Sequence, residues 1–350
     1  MRIGLLGVEH YHADFWAKAF LERDDVTLCG VCDFNLEAAA AFAERHAIPS
    51  WEDADALAAA SDAVAICSAT VDHRRLVETA ARRGRPILCE KPLGISLDDC
   101  AAIAEIVERS HVPFMQSFPK RLDPANREIA DLLADEALGR LIMCRIRHGH
   151  GHGLDPVFRK EWFIDPALSG GGTLLDEGVH AADFLRFLFG EPASVSATVS
   201  SAALGLPVED TAIATFRYDN GMLAEVVTSW CFAAADASVE IYSTEGTVLL
   251  SGVDIASRPT REMGFLSVFT RQDGWRQSAT VPRFKTGIFH EHVAWAFVEA
   301  LKVGGPMPIT LEDGYRASAM IEAAYRSART GKVERIDFSR RRRDRQSDFP

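Results

Sequence analysis

Through the first 120 residues, short apolar runs alternate with segments of helical spacing. "RIGLLG" (2–7) is brief and apolar, the pattern of a parallel strand buried on both faces. "ADFWAKAFLER" (13–23) has apolar residues at helical intervals, and "VTLCGVCD" (26–33) reads as a second strand. An alanine-rich helix (35–48) follows, with Asn35 available as its cap. A short strand near 49–53 and a helix near 54–61 come next. "DAVAICSA" (62–69), "RPILCEKP" (85–92) and "VPFMQSF" (112–118) read as further strands, separated by helices at 72–84 and 96–110. Strands alternating with helices of this length predict a doubly wound parallel sheet with right-handed crossovers.

The pattern changes after residue 120. A helix at 124–137 leads into β-rich runs at 139–152, 193–204, 210–230 and 237–252. Asp219-Asn220-Gly221 and Glu245-Gly246 fall at hairpin turns. Two amphipathic helices close the pattern, near 289–304 and 311–331. The expected fold is α/β: a Rossmann-type domain (1–121), then an α+β domain (122–338) with an open, mainly antiparallel sheet. "SRRRRDRQSDFP" (339–350) reads as a disordered basic tail.

Composition narrows the function classes. The chain has 350 residues, 47% hydrophobic and 25% charged, a balance that supports a sizeable core. A formal net charge of −12 argues against a nucleic-acid surface. No apolar run approaches the length of a membrane span, and no leader with a cleavage site opens the chain, so a cytoplasmic location is expected. Seven cysteines in a chain this long argue against a disulfide framework. Cys29 and Cys32 form a C-x-x-C inside a strand, without a second pair at zinc spacing. They read as small buried hydrophobes.

Candidate chemistry clusters at three places. Gly7 ends the first strand where the chain must turn sharply into a helix, the position at which a Rossmann domain places a pyrophosphate. The loop continues Val8, Glu9, His10, Tyr11, His12, without the later glycines of G-x-G-x-x-G; Glu9 to His12 are still expected to border the cofactor, with the backbone amides near His10 to His12 facing the pyrophosphate. Asp33 ends the second strand, where a carboxylate can bind the ribose 2′-hydroxyl of NAD and repel the 2′-phosphate of NADP. A helix-capping role for Asp33 remains an alternative, with Asn35 able to cap instead. "CEKP" places Glu90, Lys91 and Pro92 at a strand end facing the ligand crevice, either as an oxygen-binding lysine or as an exposed ion pair. "SGGGTLLDEGVHAADF" carries three glycines for close backbone approach. Its Asp176 and His180 stand four apart, which on one helix puts both on one face. Such a pair suits acid–base work, or only supports the helix.

The E-K-P motif together with "GGGTLLDEGVHAADF", read as G-G-G-x-x-x-D-x-G-x-H-x-x-D, resembles the Gfo/Idh/MocA oxidoreductases, the glucose–fructose oxidoreductase and inositol dehydrogenase family. "SFPKRLDPANREI" and "EDGYRASAMIEAAYRSARTG" are similar to further family segments, so the likeness covers nearly the whole chain. It implies a Rossmann domain followed by an open-sheet domain, and hydride transfer between a nicotinamide and a secondary hydroxyl of a sugar, polyol or derivative; the position of Asp33 favours NAD over NADP. Carried over, Lys91 binds the reacting oxygen, His180 is the general base, Asp176 binds substrate or orients the site, and Glu90 and Pro92 border the cofactor. The "GVEHYH" loop and the "SATVDHRR" segment depart from the family pattern. Ser68, Thr70 and His73 are the cofactor-bordering positions of the latter. An NAD-dependent glycosidase of the same family and a non-catalytic NAD-binding sensor are the alternatives.

Several residues stay open between substrate contact and structure: Lys120, Arg121, His150, His152 and Trp162. In "RHGHGHG", His148, His150 and His152 share a face if extended, which fits zinc, a substrate pocket or a plain strand end. No metal is expected. His290 and His292 read chiefly as a helix start. The open sheet predicts a homodimer or homotetramer formed through that sheet.

Overall fold

The computed structural model describes residues 1–135, 138–233, 237–252, 264–283 and 289–339; all but the first residue of the expected basic tail lies outside them. Two sheets organise these residues. The first contains β1 (Arg2–Leu6), β2 (Thr27–Cys32), β3 (Ser50–Trp51), β4 (Ala63–Ile66), β5 (Ile87–Cys89) and β6 (Phe114–Gln116). Every neighbouring pair is parallel, in the order β3-β2-β1-β4-β5-β6. That order reverses between β1 and β4, so the ligand crevice of a doubly wound sheet opens there, at the strand C-terminal ends. Burial follows the sequence pattern: Ile3, Leu5 and Leu6 of β1 and all of β4 are inaccessible to solvent.

Helix boundaries follow local chemistry. The Asn35 side chain caps Leu36–His46, accepting from the amides of Glu37 and Ala38. Ser96 caps Leu97–Ser110. Helix His12–Leu21 begins without a side-chain cap and buries Trp16 and Phe20. A buried phenylalanine of this kind contributes about 1.5–3 kcal/mol.

The second sheet contains β7 (Leu141–Arg147), β8 (Ser194–Ser200), β9 (Thr211–Arg217), β10 (Leu223–Ser229), β11 (Val239–Ser243), β12 (Gly246–Leu250), β13 (Leu266–Thr270), β14 (Gly274–Gln277) and β15 (Glu334–Arg335). Its order is β14-β13-β12-β11-β7-β10-β9-β8-β15. Only β7 and β10 pair in parallel. The expected hairpin turns join β9 to β10 and β11 to β12. In β9, Ala212, Ala214 and Phe216 face the core while Ile213 faces solvent, the alternation of a sheet covered on one side.

Helices Glu291–Val303 and Leu311–Thr330 return to the first sheet. The former packs on His12–Leu21, with Trp295 Nε1 donating to Ala19 O at 3.0 Å. The latter lies against both Leu97–Ser110 and β8, and begins with a capping box of Thr310 and Asp313. Among the described residues, no helix is long and apolar enough to cross a membrane. All seven cysteines are free; Cys32 is buried as expected, whereas Cys29 is half-exposed.

Candidate active site

The loop after β1 depends on Gly7. Its φ is +82°, and a Cβ there would stand 2.4 Å from Ser68 Cβ. Only glycine allows both, so the β1 and β4 loops meet with no side chain between them. Beside this contact, Asp33 Oδ2 accepts the amide of Val8 (2.7 Å) and Oδ1 that of Asn35 (2.8 Å). Asp33 therefore ties the loop to the end of β2 and is not the helix cap. Each oxygen keeps a further lone pair for a ribose hydroxyl.

The rest of the loop is more self-contained than its place between strand and helix suggests. Its amides were expected to face a phosphate near His10 to His12. Instead, the amide of His10 donates to Cys67 O (3.1 Å) and that of His12 to His10 Nδ1 (3.2 Å). Glu9 reaches across the crevice, accepting from the amide of Ala69 (2.8 Å). Burial raises its pKa, and the Ala69 amide offsets part of that rise. The carbonyl of Glu9 accepts Trp162 Nε1–H at 3.0 Å, so Trp162 latches onto this loop. His10 packs on Phe163, and His12 stacks on His290 with ring centroids 3.6 Å apart. Tyr11 and His152 line an outer cavity of about 350 Å³ together with Glu9, Asp14 and Phe158.

At β5, the side chains of "CEKP" diverge. Glu90 turns inward, fully buried, with His12 Nδ1 3.2 Å from its Oε1. Lys91 is 1% exposed and its Nζ donates to the Asp176 carboxylate and to Asp176 O (3.2 Å). Burial lowers the Lys91 pKa, but Asp176, Glu177 and Glu90 more than offset this, and the net shift is upward. Thr70, Pro92, Trp162 and Asp176 line a narrow cleft. His73 does not reach it: the ring is fully buried, with Nδ1 3.3 Å from Leu93 O, where it backs the turn after Pro92.

The motif 170–183 is not one helix. Thr173–Asp176 and Gly178–Phe189 break at Glu177, so Asp176 and His180 do not share a continuous face as expected. Asp176 instead bridges Lys91 and Trp230, whose Nε1–H donates to Oδ2 at 2.9 Å. Glycines are required before the break: a Cβ on Gly172 would lie 2.0 Å from Glu209 O. The Glu209 carboxylate takes the amides of Gly172 (3.1 Å) and Leu174 (2.9 Å) and the Tyr325 hydroxyl (2.7 Å). His180, in the first turn of the second helix, is 5% exposed. Burial, then Lys91 and His148, hold it well below the ordinary histidine pKa, so it is neutral at pH 7.

Two expected substrate contacts lie elsewhere. Arg121 is bound to Asp183 (2.7 Å) and Asp313 (2.8 Å), joining three elements behind the site. Paired twice, it has no free fork for a substrate anion. His152 turns away to stack on His150 (4.2 Å) and face Tyr11. Lys120 remains near the site, buried, with its Nζ 5.4 Å from the centroid of the Phe184 ring and its pKa lowered by burial to about 8. Of the three "HGHGH" histidines, only His148 and His150 converge, and they converge on Glu177.

Two groups could in principle hold a metal: His10, His12 and Glu90, and His150, Asp176 and Glu177. In the first, His10 Nδ1 already accepts an amide, which places the proton of the neutral ring on Nε2. In the second, the atoms are taken by Lys91, Trp230 and the imidazoles. Glu177, Trp230 and Glu209 were not singled out from the sequence. Glu177 stands inside the D-x-G-x-H motif, the one signal available for it.

Comparison with known proteins agrees with this fold. Residues 1–118 match the model of an oxidoreductase family with an NAD-binding Rossmann fold, and residues 126–249 match the GFO/IDH/MocA C-terminal domain. The chain is 26% identical to the 1,5-anhydro-D-fructose reductase of Ensifer adhaerens, over 96% of this chain and 98% of that one. It is 28% identical to the inositol 2-dehydrogenase of Rhizobium meliloti (strain 1021), over 93% and 96%. An oxidoreductase of Agrobacterium radiobacter, solved with NAD+, L-tartaric acid and magnesium, superposes with a TM-score of 0.81 at 23% identity, over 96% and 98%, a likeness of fold.

Proposed function

The chain belongs to the Gfo/Idh/MocA oxidoreductases, and we propose that it is an NAD-dependent dehydrogenase acting on a secondary hydroxyl of a sugar, polyol or sugar derivative. One observation carries this reading: a buried, charged Lys91 and a neutral His180 stand together at the crevice of a Rossmann sheet. The named relatives that act on anhydrofructose and inositol support the substrate class.

Gly7, Asp33, the Ser68–Thr70 turn and Pro92 would hold the dinucleotide, whose nicotinamide supplies the hydride acceptor. Every other task falls to the chain. A C–H bond gives up hydride readily only as its hydroxyl proton leaves. Lys91 donates to the reacting oxygen and stabilises its alkoxide character. His180 takes the proton. Asp176 orients Lys91, and Trp230 orients Asp176. Trp162 and Phe163 close the cleft over the loop after β1, which excludes water.

The test is nicotinamide absorbance across a panel of sugars and polyols, with NAD and with NADP. Turnover with NAD is expected, and Lys91→Ala and His180→Ala should each lower kcat by about 10²–10⁴-fold. Variants that turn over like wild type would overturn these roles. We further propose a division between domains at residues 121 and 122, where the parallel sheet has ended. We place the protein in the cytoplasm, in keeping with seven unpaired thiols, and expect it to self-associate through the open sheet.

A further inference from the structure

Glu177, His148 and His150 stand next to His180 and have no part in the reading above. Glu177 is 4% exposed, and each of its oxygens meets one imidazole. Oε2 is 3.0 Å from His148 Nε2, and Oε1 is 3.1 Å from His150 Nε2. The other ring nitrogens differ. His150 Nδ1 accepts the amide of His152 at 3.1 Å, so its proton lies on Nε2 and points at Glu177. His148 Nδ1 is buried and has no hydrogen-bond partner among the described residues. A neutral His148 that donates Nε2–H to Glu177 leaves a bare lone pair at Nδ1. Its ring stands edge-on to His180, with centroids 5.3 Å apart. A carboxylate on one imidazole nitrogen fixes the tautomer and favours the cation formed when the other nitrogen takes a proton.

We propose that Glu177 is a positioning residue that makes His148 a second proton station, so that the proton taken by His180 from the substrate hydroxyl passes to His148 Nδ1. The inference rests on the dehydrogenase reading. The substrate O–H bond breaks and its proton goes to His180; the hydride, with its electron pair, goes to the nicotinamide dinucleotide, and the carbon becomes a carbonyl. The His180 N–H then breaks as the His148 Nδ1–H forms, with no further change in oxidation state.

Charge placement drives the second transfer. A proton on His180 is disfavoured by burial, by Lys91, by His148 and by His12, with Glu177 the one group favouring it. His148 faces Lys120 and His150 as well, but it touches Glu177 directly. Burial and Lys120 lower its pKa to about 4, against the opposing effect of the Glu177 contact. Glu177 in turn would be raised by burial, yet His150 and His148 hold it well below the ordinary carboxyl value, so it stays charged.

The experiment uses wild-type, Glu177→Gln, Glu177→Asp and His148→Ala proteins with the best substrate of the panel. Glu177→Gln and His148→Ala should each lower kcat by about 100-fold with KM little changed. Their kcat should rise with pH through neutrality, because the proton must then leave to solvent, whereas wild-type kcat is level. Glu177→Asp should recover most of the rate, and added imidazole should restore part of the His148→Ala rate. If the folded variants keep the wild-type kcat and pH profile, or if they lose activity that imidazole does not restore and show no new pH dependence, Glu177 is only a structural clamp and the relay is wrong. A wild-type protein without turnover on any substrate would instead sink the dehydrogenase reading itself.

Discussion

At the scale of single residues, Lys91 and His180 owe their fitness to opposite electrostatic outcomes of the same burial. For Lys91, burial is outweighed by three carboxylates, so the amine holds its proton past its usual 10.5. For His180, burial and the nearby Lys91 act in the same direction, so the ring gives up its proton below 6.5. The base is ready once pH exceeds the lowered histidine value, and the cation persists until pH exceeds the raised lysine value. In the oxidation direction, kcat/KM should therefore be level between about 6.5 and 10.5, with no limb near the ordinary histidine pKa; a half-maximal rate near 6.5 would show that His180 is not the base. Asp33 sets a second residue-scale outcome. It repels a 2′-phosphate, yet Arg75 lies over the Phe34 ring, 3.3 Å from its centroid, on the next residue. The linear sequence hides this arginine because it comes from helix His73–Arg82. Asp33→Ser should shift the ratio of NADP to NAD affinity upward by about 10-fold or more, about 1.4 kcal/mol, measurable by titrating each dinucleotide against thermal stability.

At the scale of elements, the short helix, the break at Glu177 and the second helix aim three side chains in three directions. Asp176 goes to Lys91, Glu177 to the strand-end histidines, and His180 to His148 and Phe118. Behind them, Asp183 is fully buried and held by Arg121, which also binds Asp313. Removing the cation would leave a buried carboxylate unpaired, which costs about 3–5 kcal/mol. Arg121→Met should therefore lose about that much stability in urea unfolding, and activity should fall because Asp183 and His180 share a helix. A loss below 1 kcal/mol would show that the pair carries little. This part of the site also shows what the sequence could tell. Strand ends at Gly7, Asp33 and Lys91 were legible, because short apolar runs followed by polar residues have a plain meaning in a parallel sheet. The helix cap Asn35 was legible for the same local reason. The partition of 170–183 was not. Periodicity treats Asp176 and His180 as one turn apart, whereas the start of the short helix is held by Glu209, far along the chain, which takes the amides of Gly172 and Leu174. The inward turn of Glu90 and the double pairing of Arg121 likewise depend on partners that only the tertiary fold supplies.

At the scale of the whole molecule, the nine-stranded sheet has one face covered by helices and one left open among the described residues. On the open face, Ile213 is 47% exposed, Leu223 41%, Tyr242 37% and Trp275 57%. Their register brings several together: Leu223 and Tyr242 both sit opposite Met143, and Ile213 sits opposite Val227. Between them, Arg145 is paired with both Glu225 (3.1 Å) and Glu240 (3.6 Å), so the cation is satisfied within one copy and a single negative charge is left in the apolar strip. A surface of this kind can pair with itself about a two-fold axis, where one apolar position meets another and the reverse contact repeats it. Burying it in a second copy removes apolar area from water without leaving Arg145 unpaired. The protein should therefore be a dimer or tetramer in light scattering at micromolar concentration. Ile213→Glu with Leu223→Lys should release monomers that keep the far-ultraviolet spectrum of the parent, because both side chains point away from the core. The active-site residues lie on the other sheet and on the covered side, so the monomer should retain turnover. A monomeric parent would refute assembly through this sheet, and a variant that stays assembled would place the interface elsewhere.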